Sequence, residues 1–327
     1  MIKSKWFSLL FRLLVSVLAI GGILYSVRNE IAEALVILRT EVIWSWFMAA
    51  IVVYFLAHTV LAIRLSYVFK VQHVHMTFRE VLYLSFLGLF FNLFLPSAVG
   101  GDVVKMYYAY QHSGKKLAST TSVVLDRLMG FVALILMAMI ALGFLSNEIN
   151  DPRVNRLVYI FLGIMLFSMF FLGSKRFARI FKFGTVVIPP KLKKKLSDIY
   201  HALYQYKAHK ETLFITIALS FFGQALFILI HYLVAESLHI DINVWLFFLF
   251  VPLIAIVSMA PSIGGLGVRE AGVIFFFKQY MAPERAIAFS ILLDLLLYGF
   301  SVGTGVVYAL KGGLKAKVMH EMEVLEQ

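Results

Sequence analysis

Residues 96–105 read PSAVGGDVVK and residues 261–269 read PSIGGLGVR. Each follows an apolar run, and each sets Pro-Ser, then Gly-Gly, then a cation in one short segment. Irregular backbone at membrane depth leaves N–H and C=O groups without partners unless protein or a wet cavity supplies them. A chain that breaks its apolar runs twice in the same way, about half its length apart, is using the break.

The surrounding composition sets the medium. The chain has 327 residues, 61% of them hydrophobic, and a mean hydropathy of +0.88. A soluble domain has roughly 45–50% apolar residues. Runs near the length needed to cross hydrocarbon as a helix recur. They are continuous rather than alternating, which disfavours a closed β-barrel. The reading is an all-α polytopic membrane protein. The first run, 7–27, follows Lys3 and Lys5 but contains Arg12 and lacks a small-residue cleavage pattern, so it reads as a retained span. There is no cysteine, hence no disulfide and no thiolate metal site. The net charge of +12 points to basic cytoplasmic loops and anionic headgroups. No HExxH, Cys/His cluster or Walker loop occurs, and GGLG at 264–267 follows no strand. Neither cofactor nor metal nor nucleic acid is expected.

Apolar segments fall at about 7–27, 43–63, 80–99, 118–145, 156–173, 211–236, 244–261, 266–281 and 286–310. Loop cations set their sides. Lys3 and Lys5 hold the N-terminus inside. The loop 28–41, with Glu30, Glu33 and Glu41 against Arg28 and Arg39, lies outside. Residues 64–79, with Arg64, Lys70 and Arg79, lie inside. So does the loop holding Lys105, Lys115 and Lys116, and segment 80–99 must therefore enter and leave on one face. Residues 147–155, NEINDPRVN, lie outside. Residues 174–210, with ten Lys or Arg against one Asp, lie inside. ESLHIDIN, 236–243, lies outside, and the tail with Lys311, Lys315 and Lys317 inside. Segment 244–281 then begins and ends outside.

Charge alone thus predicts about six full spans plus two oppositely oriented re-entrant hairpins, the pattern of an inverted-topology repeat. The whole of 1–327 reads as one integral membrane domain. Repeat 1 covers about 43–173 and repeat 2 about 211–311, joined by the basic cytoplasmic segment 174–210. Both termini are expected in the cytoplasm of a prokaryotic inner membrane. Past each break the sequence repeats again: SVVLDRLMGF at 122–131 and SILLDLLLYGF at 290–300. From Pro190, Leu192, Leu196, Ile199 and Leu203 recur at helical spacing beside Lys191 and Lys193–Lys195. That is either a basic amphipathic helix on the inner leaflet or a solvated linker.

The breaks carry the chemistry. A helix beginning after Gly-Gly presents free N–H groups and the positive end of its dipole. That suits an anion, phosphate above all. Lys105 and Arg269 add a cation to each. The candidate substrate-binding residues are Gly100, Gly101, Asp102, Lys105, Asp126 and Arg127 with the first break, and Gly264, Gly265, Gly267, Arg269, Glu270 and Asp294 with the second. Asp102 reads equally as a helix N-cap, and Glu270 as partner of a nearby cation. Asp126 and Asp294 lie inside apolar spans, where a carboxylate costs several kcal/mol unless paired or hydrated. Asp126 has Arg127 beside it and reads also as half of a structural pair; Asp294 has no adjacent cation. His58, Gln224 and His231 read as interhelical hydrogen-bonding residues.

FFNLFLPSAVGGDVVKMYYAY (90–110) with SVVLDRLMGF, and APSIGGLGVREAG (260–272), resemble the paired signatures of the flippase-like membrane domain of lysylphosphatidylglycerol synthetases. The resemblance covers nearly the whole chain. It implies a bundle with two re-entrant elements that moves aminoacylated phospholipid between leaflets. The residues it carries over include Pro96 and Pro261. About 16 residues follow the last span, so the soluble synthetase activity is not carried over, and polyprenyl-linked lipids stay open as substrates. Two further readings stand beside a non-enzymatic flippase. One is a membrane partner of a lipid or glycan synthase or glycosyltransferase, docked through 174–210. The other is an intramembrane transferase using Asp102, Asp126 or Glu270. Oligomerisation is left open.

Overall fold

A computed structural model describes residues 31–94, 100–145, 156, 159–160, 163, 209–259 and 265–310. The described residues form helices and no strand. Four helices are long and apolar enough to cross a membrane: α2 (Trp44–Val71), α5 (Lys116–Leu145), α6 (Lys210–Glu236) and α9 (Pro283–Leu310). At 1.5 Å per residue each is about 40 Å long, beyond the roughly 30 Å of hydrocarbon. Their outward faces carry Phe55, Leu56, Phe144, Phe214, Phe222, Leu295 and Val306 where a soluble bundle would carry charge. The chain is a polytopic α-helical membrane protein. The expected spans at 7–27 and, but for four residues, 156–173 lie outside the described residues. So do most of 174–210 and the tail.

Between the long helices run shorter ones: α1 (Ile31–Thr40), α3 (Phe78–Phe94), α4 (Gly100–Ser113), α7 (Val244–Val257) and α8 (Val268–Phe277). Helix α1 corrects the loop expected at 28–41. Ala34 and Ile37, three residues apart, turn one buried face onto α9. The loop expected at 64–79 is corrected too, because α2 runs on to Val71 and buries Arg64. Counting an arginine as a span's end fails where another helix supplies its partner.

The two short pairs are hairpins. At the mouth of α3/α4, Glu80 lies beside His112, at 3.9 Å. Farther in, Val81 and Ala109 share a cluster, and Leu87 and Phe91 meet Val104 and Tyr107. Thr77 and Glu80 start α3 as a capping box: Glu80 Oε2 accepts the Thr77 N–H at 2.7 Å, and the Thr77 hydroxyl accepts the Glu80 N–H at 3.4 Å. In α7/α8, Phe250 stacks on Phe276, with ring centroids 5.4 Å apart, and Ile254 lies against Gly272.

Helices α2 and α6 pack antiparallel along their lengths. Tyr54 meets Phe227, and Arg64 meets Ser220. Leu61 fills the space left by Gly223. Each hairpin leans on a long helix from the other half of the chain: α3 on α9, and α7 on α5. The main core gathers Tyr54, Phe247, Phe250, Phe277 and Phe289. One corner is knitted with hydrogen bonds. The Ile43 N–H donates to Ser237 O at 2.8 Å. Arg285 donates to Leu238 O and, at 2.8 Å, to the Glu41 carboxylate.

Candidate functional site

The first break is built on glycine contact. A Cβ on Gly101 would overlap the carbonyl oxygen of Gly88, so α4 begins pressed against α3 only because neither carries one. Asn92 Oδ1 accepts the Gly101 N–H at 2.7 Å, occupying one donor of the helix start. Helix α4 is already helical at Gly100, so Asp102 stands in its first turn rather than at the N-cap. The buried Asp102 carboxylate pairs with Arg127 from α5 and lies 3.7 Å from Lys105 Nζ. The stem of Lys105 crosses Gly88, where a Cβ would stand 2.9 Å from its Cε. Gly100, Gly101, Asp102, Lys105 and Arg127 are therefore brought together. Two cations face one carboxylate.

The second break has the opposite balance. Gly267, with φ of +82°, takes a backbone conformation that a Cβ disfavours. Its N–H donates to Glu270 Oε2 at 2.5 Å, so α8 caps itself with its own carboxylate. Arg269 Nη2 donates to Glu270 Oε1 at 3.0 Å, to the Tyr298 hydroxyl at 3.1 Å and to Asp294. Its guanidinium stands 5.4 Å from the centre of the Tyr298 ring. One cation faces two carboxylates. Gly265 lies in the turn before Gly267, also at positive φ. Gly264, like Pro96 and Pro261, falls outside the described residues.

Asp126 and Asp294 match in sequence and part in space. Asp294 faces the second break. Asp126 turns to α2, where Arg64 Nε donates to its Oδ1 at 2.7 Å. Arg64 Nη1 also donates to Ser220 of α6 at 3.0 Å. Gly130 makes room: a Cβ there would stand 3.3 Å from both Arg64 Nη1 and Gln224 Nε2. This cluster ties α2, α5 and α6. Arg127, the next residue, serves the first break instead.

Tyr54 and His58 stand one turn apart on α2, with ring centroids 4.5 Å apart. Phe86, Phe227 and Phe300 line the same place. His58 and His231 correct the expected interhelical bonds. His231 Nδ1 is 2.9 Å from Phe227 O of its own helix, and buried His58 Nε2 has no partner among the described residues.

Arg64, Tyr298, Asn92 and Gly88 were not among the sequence candidates. Tyr298 had a signal, four residues after Asp294 and so on the same helix face. Arg64 had one as well, an arginine with apolar residues on both sides.

A family model described as the lysylphosphatidylglycerol synthase TM region matches residues 9–305. No curated protein matches significantly.

Proposed function

Because the chain belongs to the family of the lysylphosphatidylglycerol synthase TM region, and so works with membrane lipids, we propose that it is a flippase moving a charged phospholipid between leaflets. The observation that carries this is the pair of unlike charge clusters at the two breaks. At the first, Lys105 and Arg127 outnumber Asp102, which suits a phosphate. At the second, Glu270 and Asp294 outnumber Arg269, which suits an amine or a proton. A headgroup carrying both a phosphate and an amine satisfies both clusters, so an aminoacylated phospholipid fits better than a polyprenyl phosphate.

The two hairpins are, in this reading, re-entrant elements of an inverted repeat, with α2–α5 answering α6–α9. The reciprocal leaning of α3 on α9 and α7 on α5 supports it. Transport alternates access to the centre while the acyl chains stay in lipid, and a carboxylate of the second cluster is the place for a coupled proton.

The test is leaflet exchange of fluorescent lipids in liposomes holding the purified protein. The panel is lysyl-phosphatidylglycerol, phosphatidylglycerol and a polyprenyl phosphate, with Lys105→Ala and Arg269→Ala variants. The expected result is fastest exchange of lysyl-phosphatidylglycerol, lost in both variants. Absence of exchange with any lipid, in folded protein, overturns the proposal.

A further inference from the structure

The last turns of α9 meet the first hairpin through rings. A Cβ on Gly305 would overlap the ring of Phe90, so α9 lies close against α3 there. The ring of Tyr308, three residues on, is 5.7 Å from that of Phe91 and 6.4 Å from that of Phe90. Rings alone would fill this contact, yet it ends in a polar one: the hydroxyls of Tyr108 and Tyr308 are hydrogen-bonded at 3.1 Å, and either can donate. Both tyrosines are half-buried. Their bond joins α4 to α9. Tyr108 also has a place beside the first break. It follows Lys105 by three residues and precedes His112 by four, so the three side chains share one face of α4. His112 stands at the hairpin mouth, 3.9 Å from Glu80. A headgroup moving along this face between the mouth and Lys105 passes the Tyr108 hydroxyl.

We infer that the Tyr108–Tyr308 pair is a latch opened by the headgroup. The Tyr108 hydroxyl donates to a phosphate oxygen held beside Lys105 in place of its bond to Tyr308, and α9 is released from α4. This rests on the flippase reading and adds the step by which arrival of the lipid at the first break reaches α9. The chemistry favours the exchange of partners. A hydrogen bond between two neutral hydroxyls contributes little net stability, and one to an ionised phosphate is roughly twice as strong. A phenol serves both partners, because it donates one hydrogen and also accepts.

Two variants break the same bond and keep both rings, and they differ in what remains. Tyr308→Phe leaves the Tyr108 hydroxyl ready for a phosphate; Tyr108→Phe removes it. Each is compared with wild type in detergent by titrating thermal stabilisation with short-chain phosphatidylglycerol, short-chain lysyl-phosphatidylglycerol and a short polyprenyl phosphate. Leaflet exchange is measured on the same proteins in liposomes. The expected result is tighter lipid binding in Tyr308→Phe, by about fivefold, since no bond between neutral hydroxyls has to be broken. Tyr108→Phe binds more weakly than wild type and about tenfold or more below Tyr308→Phe, since the bond to a charged phosphate is not made. Two variants that bind lipid equally make the pair a packing contact and overturn the inference. Should Tyr108→Phe fail to fold, a Tyr308→Phe protein that binds lipid no tighter than wild type overturns it alone. If lipid stabilises the wild type but is not moved, the flippase reading fails, and the split in affinity still decides the latch. A wild type that neither binds nor moves any of the three overturns both.

Discussion

Removing the Asp126 carboxylate strands a guanidinium inside the bundle. The Arg64 side chain is 4% exposed and that of Asp126 11%, so solvent screens the pair little. In Asp126→Ala, Arg64 keeps only its bond to Ser220 and loses the 2.7 Å contact at Nε. Breaking one side of a buried pair costs about 3–5 kcal/mol. The Ser220 bond places this case at the lower end. A loss of about 3 kcal/mol lowers the folding equilibrium on the order of a hundredfold. Asp126→Asn keeps an acceptor and loses about half as much. The double variant Arg64→Met with Asp126→Leu removes both charges at similar volume and returns to within about 1 kcal/mol of wild type, since the attraction of such pairs barely exceeds their desolvation. Thermal and denaturant unfolding of the four proteins in one detergent measures the series. An Asp126→Ala protein as stable as wild type, or a double variant as weak as the worse single one, would refute the reasoning. Transport by the double variant then tests the pair: if the fold returns without the activity, the Arg64–Asp126 pair serves transport as well as the frame.

Gly101→Ala drives a methyl into the Gly88 carbonyl and forces α4 off α3, costing about 1–3 kcal/mol; Gly143→Ala, a helical position with open space around it, is the control. At the hairpin mouth, outside the four long spans, the Thr77 backbone and hydroxyl hydrogen bonds hold the Glu80 carboxyl below its usual 4.5. A depressed folded value means that the start of α3 is fully supported above about pH 4.5 and loses that support as pH falls through the folded value. Hydrogen exchange of the amides at 78–82 should accelerate across that range relative to a neutral-pH reference, and Glu80→Gln should flatten the response. Asp294→Asn leaves Arg269 held by Glu270 and Tyr298, so the fold should persist while lipid exchange loses its dependence on a pH gradient; retained dependence would move the proton elsewhere.

The long helices were legible because a run of apolar residues at membrane length has few alternatives. The glycine-rich stretches marked the starts of α4 and α8, because glycine allows the close approach at Gly101 and the positive φ at Gly267. What the sequence hid was partnership. Asp126 and Arg127 are neighbours in the chain but point about 100° apart on a helix, so one finds Arg64, 62 residues back, and the other finds Asp102. Asp294 lacked an adjacent cation and receives one from 25 residues away. The matching Ser-x-x-Leu-Asp motifs gave no hint that one aspartate would serve the frame and the other the break. Arg64 was taken for a loop charge because hydropathy treats any arginine as an edge. The unlike charge of the two clusters was equally hidden, since each motif contributes one cation by itself and the imbalance arises from Arg127 and Asp294 folding in.

The knitted corner at Ile43, Ser237, Leu238 and Arg285 has a mechanical meaning. It fastens the starts of α2 and α9 to the end of α6, making a fulcrum at one rim of the bundle. Helices about 40 Å long are then lever arms: a tilt of about 5° at that rim displaces their far ends by about 3–4 Å. A movement small enough to leave every hydrogen bond at the corner intact is thus amplified, at the opposite rim, to about the width of a water molecule.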